Sequence, residues 1–507
     1  MAHERRSAWR TVALLAGPFV GLIVLSVLPN QYVSAQGDVR ELTSAAKGTV
    51  AIAAWMAIWW LTEATHISTT ALLPLVLFPF SGALSMTATA AEYAHPLVFL
   101  FLGGFLLALA MQRWGLDRRI ALLTLRMVGT RPAAMVGGFM LATAGLSAFV
   151  SNTATAAMML PIALSVVDLL KHRDSPTEAS TKLATALLLG IAYAATLGGM
   201  TTLIGTPPNA ALAAFLSDSV DQIGGVEMSF VGWLKIGLPC SLLLLPLTWF
   251  LLTKVLIRLD HEPVIGGQQL IREQLAKLGR PRQAEWLTLL VFVLAAAAWI
   301  MRPVLNQLEM PVFLGGGYPF DQITDTTIAI AAGLALFLLP ADRSGQKRIM
   351  NWETARKVPW EILLLFGGGL SLAQAIQTTG VAEFLGVQAT ALREIPTWLQ
   401  VLIVISLVVF MTELTSNLAT TVTLLPVLAA VAPQAGLHPY LLLFPATLAA
   451  SCAFMLPVAT PPNAIVFGSG YLKLKDLVRV GFWLNLISIL WLTLLAVFWI
   501  PRAMALN

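Results

Sequence analysis

The sequence predicts an all-α polytopic membrane protein, and three observations lead to this fold class. The chain of 507 residues is 57% hydrophobic and only 11% charged, and its mean hydropathy is +0.79, which no ordinary water-soluble domain reaches. Apolar runs of about 17 to 25 residues, the length that an α-helix needs to cross a bilayer, recur along the chain. These runs lack the alternation of barrel strands, so we expect a bundle of helices.

Apolar segments of this kind occur in both halves of the chain. The first follows a basic start and is long enough to span, and it has no obvious small-residue cleavage site, so we interpret it as a helix and not as a signal peptide. Clear examples are Thr11–Leu28, Leu238–Leu256, Trp286–Met301, Thr327–Leu339, Trp398–Met411 and Phe482–Ile500.

The positions of the basic residues predict the orientation in the membrane. With the amino terminus in the cytoplasm, most of the 31 lysines and arginines fall on the cytoplasmic face, as the positive-inside rule requires, provided that two apolar segments do not cross. The net charge of +5 therefore follows topology and indicates no nucleic-acid partner. We expect a multi-pass protein of the cytoplasmic (inner) membrane with a cytoplasmic amino terminus and its carboxyl terminus outside.

An internal repeat relates the two halves of the chain. Three blocks match in the same order: Ser147–Pro161 with Thr412–Pro426, Phe101–Gly115 with Leu365–Gly380, and Gly205–Leu212 with Ala459–Val466. Basic residues flank the first hairpin segment, Arg131–Leu170, and are nearly absent from the second, Ile395–Pro433. The repeats should therefore be inverted, an arrangement typical of secondary transporters, in which substrate and ions bind near the bilayer midplane.

Each repeat contains two predicted breaks in its helices. Ser151–Thr153 and Ser416–Leu418 lie in the middle of the hairpin segments, where Ser, Asn and Thr favour a turn by bonding to local backbone. Pro207–Asn209 and Pro461–Asn463 must also interrupt a helix, because consecutive prolines remove two amide donors. Broken backbone survives at membrane depth only where protein or a wet cavity receives it, so the four breaks together predict a binding site.

At these residues the chain resembles the divalent anion/sodium symporter family of dicarboxylate and citrate carriers, of the INDY type. The segment Ser451–Gly470 is similar to that family's signature, the paired hairpins are its other mark, and the resemblance extends from about Trp55 to the carboxyl end. It implies about eleven transmembrane helices, two re-entrant helical hairpins, an inverted-topology repeat, a homodimer and an elevator-type transporter. The implied function is sodium-coupled secondary active transport of small di- or tricarboxylates such as succinate, malate, fumarate, 2-oxoglutarate or citrate.

The resemblance also implies a division into two domains. Residues 1–129 would form the first part of a scaffold domain, and residues 259–394 a cytoplasmic linker and the second part of that scaffold. Residues 130–258 and 395–507 would form the two parts of a transport domain, each with a hairpin, a broken helix and a following helix.

Carried over residue by residue, the resemblance implies two sodium sites and one substrate site. The sodium ligands would be Ser147, Ser151, Asn152 and the Gly205 carbonyl in the first repeat, and Thr412, Ser416, Asn417 and the Ala459 carbonyl in the second. The substrate residues would be Ser151, Asn152, Thr153, Thr206, Ser416, Asn417, Leu418, Thr460 and Pro461. Leu418 departs from the family pattern, which has a hydroxyl at that position, and this departure bears on substrate choice.

These residue types suit the predicted chemistry. Sodium is a hard cation that prefers oxygen ligands, and hydroxyls, an amide oxygen and free carbonyls supply them without formal charge. Hydroxyls, Asn amide groups and helix amino ends can receive an anion. Because none of the four motif segments contains Lys or Arg, bound cations would supply most of the countercharge, so ion and carboxylate should bind cooperatively.

Several alternatives remain open at this point. Glu413, next to Thr412, is an intramembrane carboxylate that would act either in coupling or as a structural partner. A sodium-independent dicarboxylate exchanger of the same fold is the closest functional alternative, and an anion channel is a weaker one. We expect no enzyme and no cofactor apart from sodium ions, because no metalloprotease motif, catalytic carboxylate pair or nucleophile elbow occurs.

Overall fold

The computed structural model describes residues 2–34, 37–171, 178–223, 228–259, 263, 266–309, 318 and 320–504, and it is dominated by helices. The all-α class predicted from the sequence is confirmed. A short antiparallel ribbon, β1 (Gln31–Val33) and β2 (Val39–Glu41), is an addition that the sequence analysis did not foresee. Tyr32 in this ribbon donates a hydrogen bond to Glu383 at 3.2 Å, which attaches the ribbon to the second half of the chain.

The helices follow the two predicted repeats. The first half contains α1 (Ala2–Val27), α2 (Ser44–Thr62), α3 (Ile67–Thr70), α4 (Leu73–Ser81), α5 (Met86–Tyr93), α6 (Pro96–Trp114), α7 (Leu116–Arg126), α8 (Pro132–Ser147), α9 (Asn152–Lys171), α10 (Glu178–Gly199), α11 (Pro207–Ile223) and α12 (Phe230–Phe250). The second half contains α13 (Gly267–Leu278), α14 (Gln283–Leu305), α15 (Asp325–Leu338), α16 (Trp352–Ala355), α17 (Trp360–Thr378), α18 (Val381–Val387), α19 (Thr397–Thr412), α20 (Asn417–Gln434), α21 (Tyr440–Ser451), α22 (Pro461–Gly468), α23 (Leu474–Leu494) and α24 (Ile500–Ala503). A π-helical turn extends α12 over Leu251–Leu256 and α23 over Leu495–Trp499, and a 3₁₀ turn covers Thr390–Glu394.

The described helices include many that are apolar and long enough to cross a membrane. Seven segments meet this description, and α17 with α18 makes an eighth if the pair, which bends by 76°, crosses as one. Shorter apolar helices include α8 and α19, the first arms of the predicted hairpins. A multi-pass membrane protein is therefore confirmed, while the number of about eleven crossings stays a prediction.

Both predicted hairpins form at the expected residues. In the first hairpin, α8 ends at Ser147 and α9 begins at Asn152; in the second, α19 ends at Thr412 and α20 begins at Asn417. The Ser-Asn pair thus marks each turn, because the serine lies in an extended or turn conformation and the asparagine starts the next helix.

The Pro-Pro-Asn motifs also interrupt their helices as predicted. Residues 200–206 separate α10 from α11, and residues 452–460 separate α21 from α22. The two prolines are the first residues of α11 and α22, where the missing amide would have no partner in any case. They therefore start the second half-helix, and the preceding half-helix ends several residues earlier.

Glycines allow α6 and α17 to approach their neighbours closely. A Cβ atom at Gly103 would lie 2.5 Å from the backbone of Ala329, and one at Gly368 would lie 2.5 Å from the carbonyl oxygen of Ala71. These glycines therefore serve as close-packing points between helices.

Two largely buried ion pairs connect α14 to α7 and α15. Arg119 of α7 pairs with Glu285 and also donates to the carbonyl oxygen of Gly279 at 3.0 Å. At the other end of α14, Arg302 pairs with Asp325 of α15 at 2.9 Å. Breaking such a pair leaves one charge uncompensated in a medium of low polarity, which costs far more than the pair itself stabilises.

We predict that Arg119→Ala lowers the free energy of unfolding by about 3 to 5 kcal/mol, because Glu285 is then left without its cation. Denaturant titration of the purified protein in detergent measures this. The double variant Arg119→Met with Glu285→Leu should recover most of the loss, since neither charge remains. Lys182→Ala, which removes a solvent-facing pair with Glu178, is the matched control and should change little. A similar small loss from Arg119→Ala would contradict the prediction.

Candidate membrane-embedded ion and anion site

The turn of the first hairpin is tied to the first helix break. Ser147 Oγ donates to Asn152 Oδ1 at 2.7 Å across the turn. The Asn152 side chain lies against Gly199 at the end of α10, where a Cβ atom would come within 2.3 Å of its oxygen. The Thr202 hydroxyl donates to the carbonyl oxygen of Ala148, so the break and the turn are held together.

The turn of the second hairpin has the same construction. Thr412 Oγ1 donates to Asn417 Oδ1 at 2.9 Å and to the carbonyl oxygen of Ala450, at the end of α21, at 2.7 Å. Thr412 is fully buried and Asn417 is partly buried. Each turn therefore places one hydroxyl and one amide oxygen together beside a broken helix.

Each break is spanned by the asparagine of its Pro-Pro-Asn motif. Asn209 Nδ2 donates to the carbonyl oxygens of Gly199 and Thr202, at 3.0 and 2.8 Å. Asn463 Nδ2 donates to those of Ala453 and Leu456, both at 3.1 Å. These bonds satisfy carbonyl groups that the interrupted helix leaves open. Sequence reasoning used the motif only as a helix breaker and missed this bridging role, although the Asn after two prolines in both repeats was a signal for it.

The two repeats meet around these breaks. Tyr193 of α10 donates to the carbonyl oxygen of Phe454 at 3.0 Å, and their rings contact edge to face at 5.2 Å between centroids. The second arm of each hairpin packs on the helix that follows the break of the other repeat, α9 on α22 and α20 on α11. The two repeats therefore pack against each other through their hairpins and the helices that follow their breaks.

The residues predicted to contact substrate differ in exposure. Ser151, Thr153 and Pro461 are exposed, and Asn152, Ser416 and Asn417 are partly buried. Thr206, Thr460 and Leu418 are buried, with 5%, 3% and 5% of their surface exposed. The third residue of the tripeptide is therefore exposed in the first hairpin, where it is Thr153, and buried in the second, where it is Leu418.

Four helices begin at the two hairpin turns and the two Pro-Pro-Asn breaks, and the amino end of each carries the positive end of the helix dipole. These helices are α9, α11, α20 and α22. The four motif segments contain no Lys or Arg, so the amino ends of these helices are the groups there that favour an anion. Within the described residues no three His, Cys, Asp or Glu side chains group as a metal site. Neutral oxygens and helix amino ends together suit a hard monovalent cation and a carboxylate.

Glu413 gives the second turn a feature that the first one lacks. Its buried carboxylate accepts hydrogen bonds from the amides of Phe454, Met455 and Leu456, at 2.8, 2.9 and 3.0 Å, and from Asn485 Nδ2 at 2.7 Å. Of the two roles that the sequence left open, these contacts favour a structural partner of the second break. The corresponding residue of the first repeat is Ala148.

A cavity of about 450 Å³ lies beside the second hairpin but contains none of the predicted site residues. It is lined by α20 on one side and by α17 and α18 on the other, and its polar residues are Gln377, Glu383, Gln434 and His438. His438 lies in the connection between α20 and α21, where partial burial lowers the pKa of its imidazole.

Comparison with known proteins agrees with this architecture. Residues 8–505 match the family model of the sodium:sulfate symporter transmembrane region. The chain is 41% identical over 500 residues to a sodium-dependent dicarboxylate transporter, SdcS, of Staphylococcus saprophyticus, with 98% of this chain and 92% of that protein covered. It is 40% identical over 490 residues to the SdcS protein of Staphylococcus aureus, with 95% and 89% covered.

Two solved structures share the fold at low sequence identity. The YdaH transporter of Alcanivorax borkumensis superposes with a TM-score of 0.54 at 14% identity, over 97% of this chain and 98% of that one. The MtrF protein of Neisseria gonorrhoeae superposes with a TM-score of 0.58 at 11% identity, over 97% and 94%. The match over nearly the whole chain and the 41% identity are decisive: the chain belongs to the sodium:sulfate symporter family, as the resemblance of its hairpins and breaks to the divalent anion/sodium symporters predicted.

Proposed function

We propose that this protein is a sodium-coupled transporter of small dicarboxylates in the cytoplasmic membrane. The observation that carries the proposal is the pair of hairpin turns, each with a hydroxyl bonded to an amide oxygen beside a broken helix, in segments without Lys or Arg. The relatives named as sodium-dependent dicarboxylate transporters support the same substrate class and ion, and they favour symport over the sodium-independent exchanger.

The two cation sites follow the two turns. One sodium ion would be held by Ser147, Ser151, Asn152 and the carbonyl of Gly205, and the other by Thr412, Ser416, Asn417 and the carbonyl of Ala459. These oxygens are uncharged, so they bind sodium weakly enough to release it. Since the four motif segments contain no Lys or Arg, the bound ions would supply the countercharge that a desolvated carboxylate needs.

The dicarboxylate would lie between the two hairpin turns and the breaks. Ser151, Asn152, Thr153, Ser416 and Asn417 offer hydroxyl and amide donors, and Thr206, Thr460 and Pro461 bring the amino ends of α11 and α22. Thr460 Oγ1 already accepts the amide of Asn463 at 3.3 Å, which leaves its hydroxyl proton for the substrate. Leu418 adds an apolar surface that suits the methylene groups of the substrate.

We further propose that transport proceeds by an elevator motion. Residues 130–258 and 395–507 would move together against residues 1–129 and 259–394 of a homodimeric scaffold. The cavity between α20 and α17–α18 supports this division, because it leaves part of the proposed boundary unfilled. The amino terminus would lie in the cytoplasm and the carboxyl terminus outside.

Replacing sodium should weaken dicarboxylate binding. In proteoliposomes we expect the apparent affinity for labelled succinate to fall by about 5-fold to 150-fold when potassium or choline replaces external sodium, because an ion that supplies the countercharge has a coupling free energy of that order. Uptake measured with and without internal substrate separates symport from exchange. Asn417→Ala should lose most of the sodium dependence, whereas Asn30→Ala, at an exposed position whose side chain accepts a hydrogen bond from Lys47, should retain it. Equal affinity in all media would remove sodium from the mechanism.

Leu418→Thr should change the preference among dicarboxylates. The substitution removes methyl groups from the pocket and adds a donor, and one methylene in an apolar pocket changes relative specificity by about 10-fold to 200-fold. Competition of succinate, malate and 2-oxoglutarate against labelled succinate measures the effect. Leu428→Thr, at a similarly buried leucine farther along α20, is the matched control and should leave the ranking unchanged. An unaltered ranking in Leu418→Thr would place that residue outside the substrate pocket.

A further inference from the structure

Glu413 is a buried carboxylate that accepts hydrogen bonds from uncharged groups. It follows Thr412 directly at the end of α19 and is 4% exposed. Within the described part of the chain no Lys, Arg or His forms an ion pair with it, and four uncharged donors surround it instead: the amides of Phe454, Met455 and Leu456, and Asn485. All four groups are donors, so both oxygens of the Glu413 side chain act as hydrogen-bond acceptors.

The three amides belong to one stretch of the second break. Successive backbone amides that point to one side form a concave anion receptor, and here the side chain of Glu413 fills it. The contact fixes residues 454–456, and Leu456 passes this constraint on, since its carbonyl oxygen accepts from Asn463 Nδ2 at 3.1 Å and from the amide of Ala459 at 3.2 Å. Ala459 is the residue whose carbonyl is proposed as a ligand of the second cation.

The first repeat has a neutral contact in the same place. Ala148 occupies the position of Glu413, and its carbonyl oxygen accepts from the Thr202 hydroxyl in the first break. Among the described residues, the hydrogen bond from Thr202 to Ala148 joins the first turn to its break without a charged group. The Glu413 side chain instead joins the second turn to three amides of its break and to Asn485 of α23. The backbone at the second cation site is therefore more constrained than at the first, and a carboxylate group lies beside it.

We infer that Glu413 is a positioning residue that makes the second cation site bind sodium more tightly than the first. Its oxygens are occupied by four donors, so it acts through the position of the Ala459 carbonyl and through its charge next to Thr412, and not as a direct ligand. This inference rests on the proposed sodium coupling. The inference also predicts an order of binding: sodium occupies the second site first, and a second sodium ion then occupies the first site together with the substrate.

The test is the sodium dependence of succinate uptake by Glu413→Gln. Glutamine has the same shape as glutamate and carries no charge. Its NH2 group donates hydrogen bonds, so it cannot accept them from the donors that surround Glu413. We expect the sodium concentration for half-maximal uptake to rise by about tenfold or more, the effect of losing a charge-assisted contact, while the maximal rate at saturating sodium falls by less than about threefold. Glu361→Gln, the same change at an exposed glutamate, should leave both quantities as in the wild type.

A second variant covers the case in which Glu413→Gln fails to fold. Asn485→Ala removes one of the four donors and keeps the charge, so we expect a smaller rise in the half-saturating sodium concentration. Unchanged half-saturation in the folded variant with a reduced maximal rate would assign Glu413 a purely structural role and overturn the inference, while leaving sodium coupling intact. Wild-type uptake without any sodium dependence would overturn both proposals.

Discussion

The structure depends on one constraint: a backbone amide or carbonyl group inside the bilayer must have a partner. Continuous helices meet this requirement internally, but the breaks at residues 200–206 and 452–460 cannot. Asn209 and Asn463 meet it by bridging carbonyl oxygens within each break. The backbone at the breaks is therefore both irregular and well fixed, which is the condition for using its remaining carbonyl and amide groups as ligands.

Both repeats satisfy that constraint with the same kinds of residue, but the repeats differ in chemistry at two of the positions described above. The hydroxyl and asparagine of each turn, the asparagine of each break and the prolines that start each half-helix recur in both repeats. Ala148 and Glu413 do not correspond in chemistry, and neither do Thr153 and Leu418. In the proposed mechanism a symmetric frame would hold two similar ions, whereas an asymmetric substrate site and an ordered sequence of binding would need unequal sides, and these two pairs differ in that way.

Local chemistry explains which parts the sequence could predict. Turns at Ser151–Asn152 and Ser416–Asn417 follow from bonds within a few residues, so they were predicted to within a residue or two. The Pro-Pro motifs predicted the breaks and the starts of the following half-helices, but the preceding half-helices end several residues earlier than the motifs indicate. The donors of Glu413 lie 41 to 72 positions away in the chain, and the bridging role of Asn463 depends on how far apart the two half-helices end. The ribbon β1–β2 was missed because its strands are three residues long and are held by contacts with a distant helix.

The lack of fixed positive charge in the motif segments explains why this architecture can couple two gradients. An arginine at the site would hold a carboxylate permanently, so the anion would bind with or without the ion and would be slow to leave. When sodium supplies the countercharge, that countercharge is lost as soon as sodium dissociates. In the compartment where sodium is scarce, the substrate therefore loses its main electrostatic partner. Neutral oxygens keep the ion itself exchangeable. In the proposed mechanism the direction of transport would follow from the sodium gradient, acting on a site that would bind neither partner well alone.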